Sequence, residues 1–192
     1  MENLKIFFND LIKSENKEAL EKLFDKHNIK RKDKNTYPDL EINISLEEIK
    51  ILKEKSIITN ENDLNTSLAK NTDLTPLEKL LYAVIWKNGD LIKIKHIISG
   101  IYGKSTTGKV FNQFGRHLRN KDEPIIDQHV LRAYIYYISD EIIKDINNKH
   151  FDQYANSYKE WINQNKVLKM NMNLTDELLF GVGRMLKLKK TQ

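Results

Sequence analysis

An all-α fold is what this sequence of 192 residues predicts, and three observations indicate it. Apolar residues recur at three- and four-residue spacing along most of the chain, which is the helical period. Several of these stretches begin with residues that commonly cap helices. We find no convincing run in which polar and apolar residues alternate as in a half-buried strand. At typical helix and loop lengths, the chain has room for about eight to ten helices.

The first helical stretch, residues 3–26, carries two successive apolar stripes, one that includes Phe7 and one that includes Leu23. A polar stretch follows at residues 27–45 and is interrupted by Pro38, which cannot continue a helix. The N-terminal part of the chain therefore predicts helix and then a loop.

A capping box is predicted at Ser45 and Glu48, whose three-residue spacing lets each side chain reach the backbone of the other. The short helix that it opens is followed by a polar connector at residues 57–74. We therefore expect an N-terminal helical segment and loop over residues 1–60 and a main helical body over residues 61–192.

The main body begins with a clear helix-start signal. Thr75 is a good N-cap, Pro76 suits the first helical position, and Glu78 completes the reciprocal pair. Asn-Gly-Asp at residues 88–90 ends that helix, and residues 91–99 start another.

A glycine-bearing segment, GIYGKSTTGK at residues 100–109, separates two apolar helices, the second of which continues over residues 110–118. Pro124 stops the chain again, and Asp127 is placed to cap a helix that extends over residues 130–138. Two further helical stripes follow, at residues 151–162 and 178–186.

Composition excludes several kinds of site. The chain has no cysteine, so disulfides, a thiol nucleophile, thiolate zinc and cysteine-ligated iron–sulfur clusters are all excluded. The first residues, MENLKIFFNDL, lack the long apolar core of a signal peptide, and no apolar run is long enough to span a membrane. We therefore expect a cytoplasmic protein without a membrane partner.

Positive charge is concentrated in one region. The net charge is +5, and residues 87–121 hold eight lysines and arginines against a single acid, Asp90. Such a region attracts polyanions and releases their counterions. On charge alone, polyanion binding and an ordinary solvated lysine-rich surface are equally good interpretations.

Lys109 and Asp127 stand eighteen positions apart, each at the start of a predicted helix. Both residues can be ordinary, Lys109 as a solvated surface lysine and Asp127 as an N-cap. They can instead form an amine and carboxylate pair. The helix dipole and neighbouring cations disfavour the protonated form of an amine at a helix start, which would make Lys109 a better nucleophile.

The order helix, hairpin, lysine and then PIIDQHVLR at residues 124–132 resembles the helix-hairpin-helix superfamily of DNA base-excision glycosylases. The resemblance covers about residues 75–190, and LTDELLFGVGR at 174–184 is similar to the closing helix of 8-oxoguanine glycosylase-like members. The usual leucine-proline-glycine-valine-glycine hairpin is replaced by SGIYGKSTTGK, and without cysteine the iron–sulfur branch of the endonuclease III-like members is excluded.

This resemblance implies a helix-hairpin-helix glycosylase-like helical fold and a monomeric repair enzyme without metal or cofactor. The partner would be double-stranded DNA with a damaged base, an oxidised purine being one candidate. Lys109 would attack the sugar C1′ of an extruded nucleotide, with lyase activity following, and Asp127 would stabilise the cationic sugar. The residues expected to contact DNA are Gly103, Lys104, Ser105, Thr106, Gly108, His129 and Arg132.

Two other functions are compatible with the sequence, namely a DNA-binding module without catalysis and a helical protein–protein adaptor. Structural roles are also open for individual residues. His129 lies inside an apolar helix, and Arg132 can pair with an acid instead of a phosphate. The tyrosines at residues 134, 136 and 137 have the spacing of partly buried aromatic residues, with a pocket as the alternative.

Overall fold

The computed structural model describes residues 2–32, 45–56 and 93–188. These residues form nine helices and no strand, which confirms the all-α prediction for this part of the chain. None of the described helices combines the length and the apolarity needed to cross a membrane. The helices are α1 (Glu2–Lys13), α2 (Lys17–Lys26), α3 (Leu46–Glu54), α4 (Ile94–Ile101), α5 (Lys109–Arg119), α6 (Gln128–Ser139), α7 (Asn148–Gln164), α8 (Lys166–Met170) and α9 (Met172–Leu188).

The chain divides into two compact units. The first consists of Met1–Glu41 and Pro124–Gln192, and the second consists of Ile42–Glu123. The predicted boundary between residues 60 and 61 lies outside the described residues, as does the predicted helix that starts at Thr75, so both stay predictions.

The first unit is built around the packing of α6 on α9. Leu131 of α6 and Leu178 of α9 are completely buried. The two helices approach closely at Gly183, where a Cβ atom would lie 1.9 Å from the backbone oxygen of His129. The two N-terminal stripes form α1 and α2, and the Asn16 side chain accepts a hydrogen bond from the Ala19 N–H at 2.9 Å to start α2.

The second unit contains the predicted capping box and a helical hairpin. Ser45 and Glu48 exchange side-chain to backbone hydrogen bonds at 2.7 and 3.2 Å, which confirms the predicted start of α3. In the hairpin, α4 and α5 pack closely because both carry a glycine at the crossing. A Cβ atom on Gly100 or on Gly115 would lie 2.0 Å from a backbone oxygen of the other helix, so neither position accepts a side chain without moving the helices apart.

Candidate nucleic-acid interface

The loop between α4 and α5, residues 102–108, is mostly exposed and leads directly into a helix start. Gly108 is the N-cap of α5, and as a glycine it has no side chain to cap this helix. The Lys109 N–H donates to the Thr107 backbone oxygen at 3.0 Å, but the next two N–H groups have no acceptor within the helix, and they lie at the positive end of its dipole. The hairpin therefore presents donors that suit a phosphate or another anion.

Buried polar side chains fix the shape of this loop. The Asn112 amide donates to the backbone oxygen of Lys104 at 2.8 Å and to that of His96 at 3.3 Å. The His96 ring contacts the Thr106 hydroxyl at 2.8 Å, and it lies so close to Gly108 that a Cβ there would be 2.2 Å from the ring. Because these contacts order the loop, little conformational entropy would be lost when it binds a ligand.

Two arginines of α5 form hydrogen bonds with the backbone at the start of the loop. Arg116 donates to the backbone oxygen of Gly103 at 3.2 Å, and Arg119 donates to that of Ile101 at 3.1 Å. Gly103 has a φ of 75°, a conformation that glycine adopts without strain. Arg119 is exposed and Arg116 is partly exposed, so their guanidinium groups hold the turn and also contribute positive charge to its surface.

The whole stretch from residue 93 to residue 121 contains no aspartate or glutamate. Some of its cations also lie near aromatic rings, with the Lys93 Nζ 4.9 Å from the centre of the Phe111 ring. The hairpin surface is therefore positive, because this segment has no acidic side chain that could neutralise its cations. Its lysines and arginines are Lys93, Lys95, Lys104, Lys109, Arg116, Arg119 and Lys121.

Lys109 is the first residue of α5, at the helix start that the sequence predicts. Its side chain is partly exposed, and its Nζ lies 3.4 Å from the Ser105 hydroxyl oxygen. The six predicted site residues of the hairpin are therefore together in the second unit: Gly103, Lys104, Ser105, Thr106, Gly108 and Lys109.

Asp127 is the N-cap of α6, which confirms its predicted capping role. One carboxylate oxygen accepts hydrogen bonds from the backbone N–H groups of His129 at 2.7 Å and Val130 at 2.8 Å. Asp127 belongs to the first unit and Lys109 to the second, so the predicted amine and carboxylate pair is divided between the two units.

Arg132 is buried, whereas contact with DNA requires an exposed side chain. It has no exposed surface, and its guanidinium donates to the backbone oxygens of Ile143 and Lys144, both at 2.7 Å, and of Gly183 at 3.3 Å. Burial lowers the pKa of Arg132 because it disfavours the charged form. These contacts favour the structural interpretation of Arg132 over the predicted contact with a phosphate, which a fully buried side chain cannot reach.

His129 also makes internal contacts. Its ring packs edge-on against Phe180 with 4.9 Å between ring centres, and its Nδ1 lies 2.9 Å from an Arg132 nitrogen. An arginine only donates hydrogen bonds, so Nδ1 is the acceptor and the ring is neutral in this arrangement. Burial is also the main reason why the pKa of His129 is lowered. The contacts therefore favour a structural role for this histidine.

A buried carboxylate far from Asp127 in sequence contacts the segment just before it, and no sequence pattern indicated this. Asp176 of α9 is only 2% exposed, and it accepts hydrogen bonds from the Tyr158 hydroxyl at 3.0 Å and the Ile125 N–H at 3.1 Å. The pKa of Asp176 is raised to about 7, mainly by burial and to a smaller extent by Asp127, while the two hydrogen bonds and Lys32 oppose the increase. Asp176 therefore anchors the backbone two residues before Asp127.

Among the described residues, no group of three or more histidine, aspartate or glutamate side chains is arranged to hold a metal ion. Comparison of the chain with protein-family models, with curated proteins and with solved structures finds no match. The function is therefore inferred from the residues themselves.

Proposed function

We propose that this protein binds DNA through the hairpin of α4 and α5, with the loop at residues 102–108 on the sugar–phosphate backbone. The observation that carries the proposal is the combination of an ordered loop, a helix start without a side-chain cap, and a surrounding segment that has cations and no acids. Backbone N–H donors suit phosphate oxygens whatever the base sequence, so this contact would position the DNA without reading its sequence.

A charge reversal tests this proposal. Lys104 is exposed in the loop, and Lys104→Glu would place a negative charge beside the phosphate site. Lys169→Glu, at an exposed lysine in the first unit, makes the same change in net charge far along the chain from the hairpin. We expect Lys104→Glu to weaken binding to a fluorescent duplex by roughly tenfold or more, and Lys169→Glu to have little effect. Equal losses in the two variants would show that only the total charge matters.

A second candidate function is base excision by Lys109 and Asp127. It is favoured by the resemblance to the helix-hairpin-helix glycosylases and by the position of each residue at a helix start. A damaged base would be extruded, a step that costs a few kcal/mol and is easiest for a damaged nucleotide. Asp127 would stabilise the positive charge that develops on the sugar, Lys109 would attack C1′ as the base leaves, and the resulting Schiff base would permit strand cleavage.

Borohydride trapping on duplexes with different lesions tests this second candidate. The wild-type chain would form a covalent adduct with at least one lesion, and Lys109→Gln would form none. Lys149→Gln is the matched control, because Lys149 is an exposed lysine of α7 in the first unit. A wild-type chain that binds DNA but forms no adduct with any lesion would leave DNA binding as the function.

A further inference from the structure

A histidine and a lysine meet at the C-terminal end of α5, outside the loop at residues 102–108. His117 is buried in the last turn of α5, and Lys121 lies in the following turn with its side chain partly exposed. The His117 Nδ1 lies 2.6 Å from the backbone oxygen of Glu123, and the Lys121 Nζ lies 3.4 Å from the His117 Nε2.

These contacts determine the proton positions on the His117 ring. A carbonyl oxygen can only accept, so Nδ1 carries the proton and donates to Glu123. In the neutral ring Nε2 is then an acceptor, and it faces the Lys121 amine, which donates to it. The histidine is thus held in the one tautomer that can take a proton from the lysine.

Burial favours the neutral form of both residues, so the His117 ring keeps Nε2 unprotonated. Burial lowers the pKa of His117, and nearby Lys121 lowers it further, while the Glu123 carbonyl and carboxylate oppose the change. Burial also lowers the pKa of Lys121, so its ammonium releases a proton more readily than that of a solvated lysine. The Glu123 carboxylate is itself held by the Gln113 amide at 3.0 Å.

We propose that Lys121 is an amine nucleophile, with His117 as its base, and that it forms a Schiff base with an aldehyde. A nucleophile, a base within hydrogen-bond reach and a third group that orients the base are the parts that activated nucleophiles share in enzymes. Here these parts are Lys121, His117 and the Glu123 carbonyl. The partial exposure of Lys121 leaves the amine accessible to a small carbonyl compound.

The reaction balances without a redox partner. The Lys121 ammonium gives one proton to the His117 Nε2, and the amine lone pair forms a C–N bond to the aldehyde carbon. The electron pair of the C=O bond moves to oxygen, which takes up one proton from the imidazolium and one from the nitrogen. Water then leaves, and the nitrogen is part of an iminium ion.

This inference rests on the proposed function only in the choice of one substrate. The open-chain sugar of an abasic site in DNA is an aldehyde, and a DNA-binding protein would bring it close to the chain. The same chemistry is available in free 2-deoxyribose 5-phosphate. Comparing the two substrates separates the reactivity of the amine from the binding of DNA.

The experiment treats the full chain with cyanoborohydride and either an abasic duplex or 2-deoxyribose 5-phosphate, and maps the modified lysines by mass spectrometry. We expect both aldehydes to label Lys121 roughly tenfold or more faster than Lys50, an exposed lysine of α3 in the same unit. Labelling spread evenly over surface lysines would overturn the inference. So would labelling of Lys109 in place of Lys121, which would support the second candidate function instead.

Variants of Lys121 and His117 test the role of each residue separately. Lys121→Arg should lose the rapid labelling, whereas Lys50→Arg should keep it. His117→Asn keeps a donor for the Glu123 carbonyl and removes the acceptor at Nε2, so labelling should slow and its dependence on pH should move toward that of a solvated lysine. If His117→Asn does not fold, the comparison of Lys121→Arg with Lys50→Arg still tests whether Lys121 is the reactive amine. Rapid labelling of Lys121 in His117→Asn would exclude the histidine as base.

DNA affinity measured on the same samples separates the two proposals. A wild-type chain that labels at Lys121 with the free sugar phosphate but does not bind duplex DNA supports this inference and contradicts the proposed function. A chain that binds DNA without selective labelling at Lys121 does the reverse.

Discussion

Two pairs of helices pack closely at a glycine: α4 with α5 in the second unit, and α6 with α9 in the first unit. The two pairs differ in whether their polar side chains are buried or exposed. In each pair a glycine lets two backbones approach closely, Gly100 in the hairpin and Gly183 in α9. In the first unit, Arg132 and Asp176 are buried and bond to groups within the unit. In the hairpin the cations remain at least partly exposed. Close helix packing at a glycine therefore accompanies buried polar contacts in the first unit and an exposed positive surface in the second.

The helix starts in the two regions differ in the same way. Asp127 places a carboxylate on the first N–H groups of α6, whereas Gly108 gives α5 no side chain for capping. A carboxylate and a phosphate compete for the same donors, so the start of α6 is already satisfied. The start of α5 is the one of these two that suits an anionic ligand.

The largest effect we expect concerns the buried carboxylate of the first unit. The pKa of Asp176 rises from its ordinary value of 3.8 to about 7 in the fold, so the folded protein keeps a proton that the unfolded chain loses. The free energy of unfolding should therefore fall as the pH rises from about 4 to about 7, by up to about 4 kcal/mol. Denaturant unfolding at several pH values measures it.

Asp176→Asn is the matched variant, because an amide can still pair with Tyr158 and Ile125 but does not titrate. Its stability should depend less on pH than that of the wild type over this interval. Parallel pH profiles for the two chains would show that Asp176 is not the group responsible.

Replacing a buried and an exposed arginine by methionine should separate the structural role of Arg132 from the DNA-binding role of Arg119. Arg132→Met leaves the carbonyls of Ile143, Lys144 and Gly183 without their donors, and we expect a loss of about 3 kcal/mol or more. Arg119→Met removes an exposed side chain and should change stability by less than about 1 kcal/mol while weakening DNA binding. Thermal unfolding and fluorescence anisotropy measure the two effects. If Arg132→Met weakens DNA binding at unchanged stability, the buried interpretation of Arg132 is wrong.

The two crossing glycines give the next test. Alanine at Gly100 would place its Cβ 2.0 Å from the Asn112 oxygen, and alanine at Gly183 would place it 1.9 Å from the His129 oxygen. Each change should destabilise the chain by about 2 kcal/mol because the helices must move apart. Only Gly100→Ala should also weaken DNA binding under conditions where both variants remain folded. Equal DNA affinity in the two variants would contradict a binding site on the hairpin.

The smallest effect concerns Asp127, where capping and chemistry can be separated. Asp127→Ala removes the acceptor for two N–H groups and should cost about 1 kcal/mol, whereas Asp127→Asn keeps a good N-cap and should cost almost nothing. If the second candidate function is correct, both variants should lose base excision, because asparagine lacks the negative charge. An Asp127→Asn chain that excises bases normally would remove Asp127 from the chemistry.

Local sequence signals predicted several helix starts well. Ser45 with Glu48, and Asp127 before its apolar helix, depend on side chains that bond to backbone only two or three residues away. Such contacts are encoded by spacing alone. The start of α5 at Lys109 was also predicted, because a glycine-bearing turn must separate two apolar stripes.

Contacts between distant residues could not be read in the same way. Asp176 meets Ile125 across 51 positions of sequence, and Arg132 meets Gly183 across the same separation. Nothing in either local pattern distinguishes these buried side chains from ordinary surface residues. The pairing of His117 with Lys121 is local, but its meaning depends on the buried ring and on the Glu123 carbonyl, which only the fold supplies.

The salt dependence of duplex binding tests the central claim most directly. Each cation that contacts a phosphate should contribute about 0.9 to the slope of log affinity against log salt concentration. We predict that the double variant Lys104→Gln, Arg119→Gln lowers the slope by up to about 2, while the exposed control pair Lys149→Gln, Lys169→Gln leaves it unchanged. Identical slopes in the two double variants, or no salt-dependent binding by the wild type, would contradict the assignment of the hairpin as the DNA-binding surface.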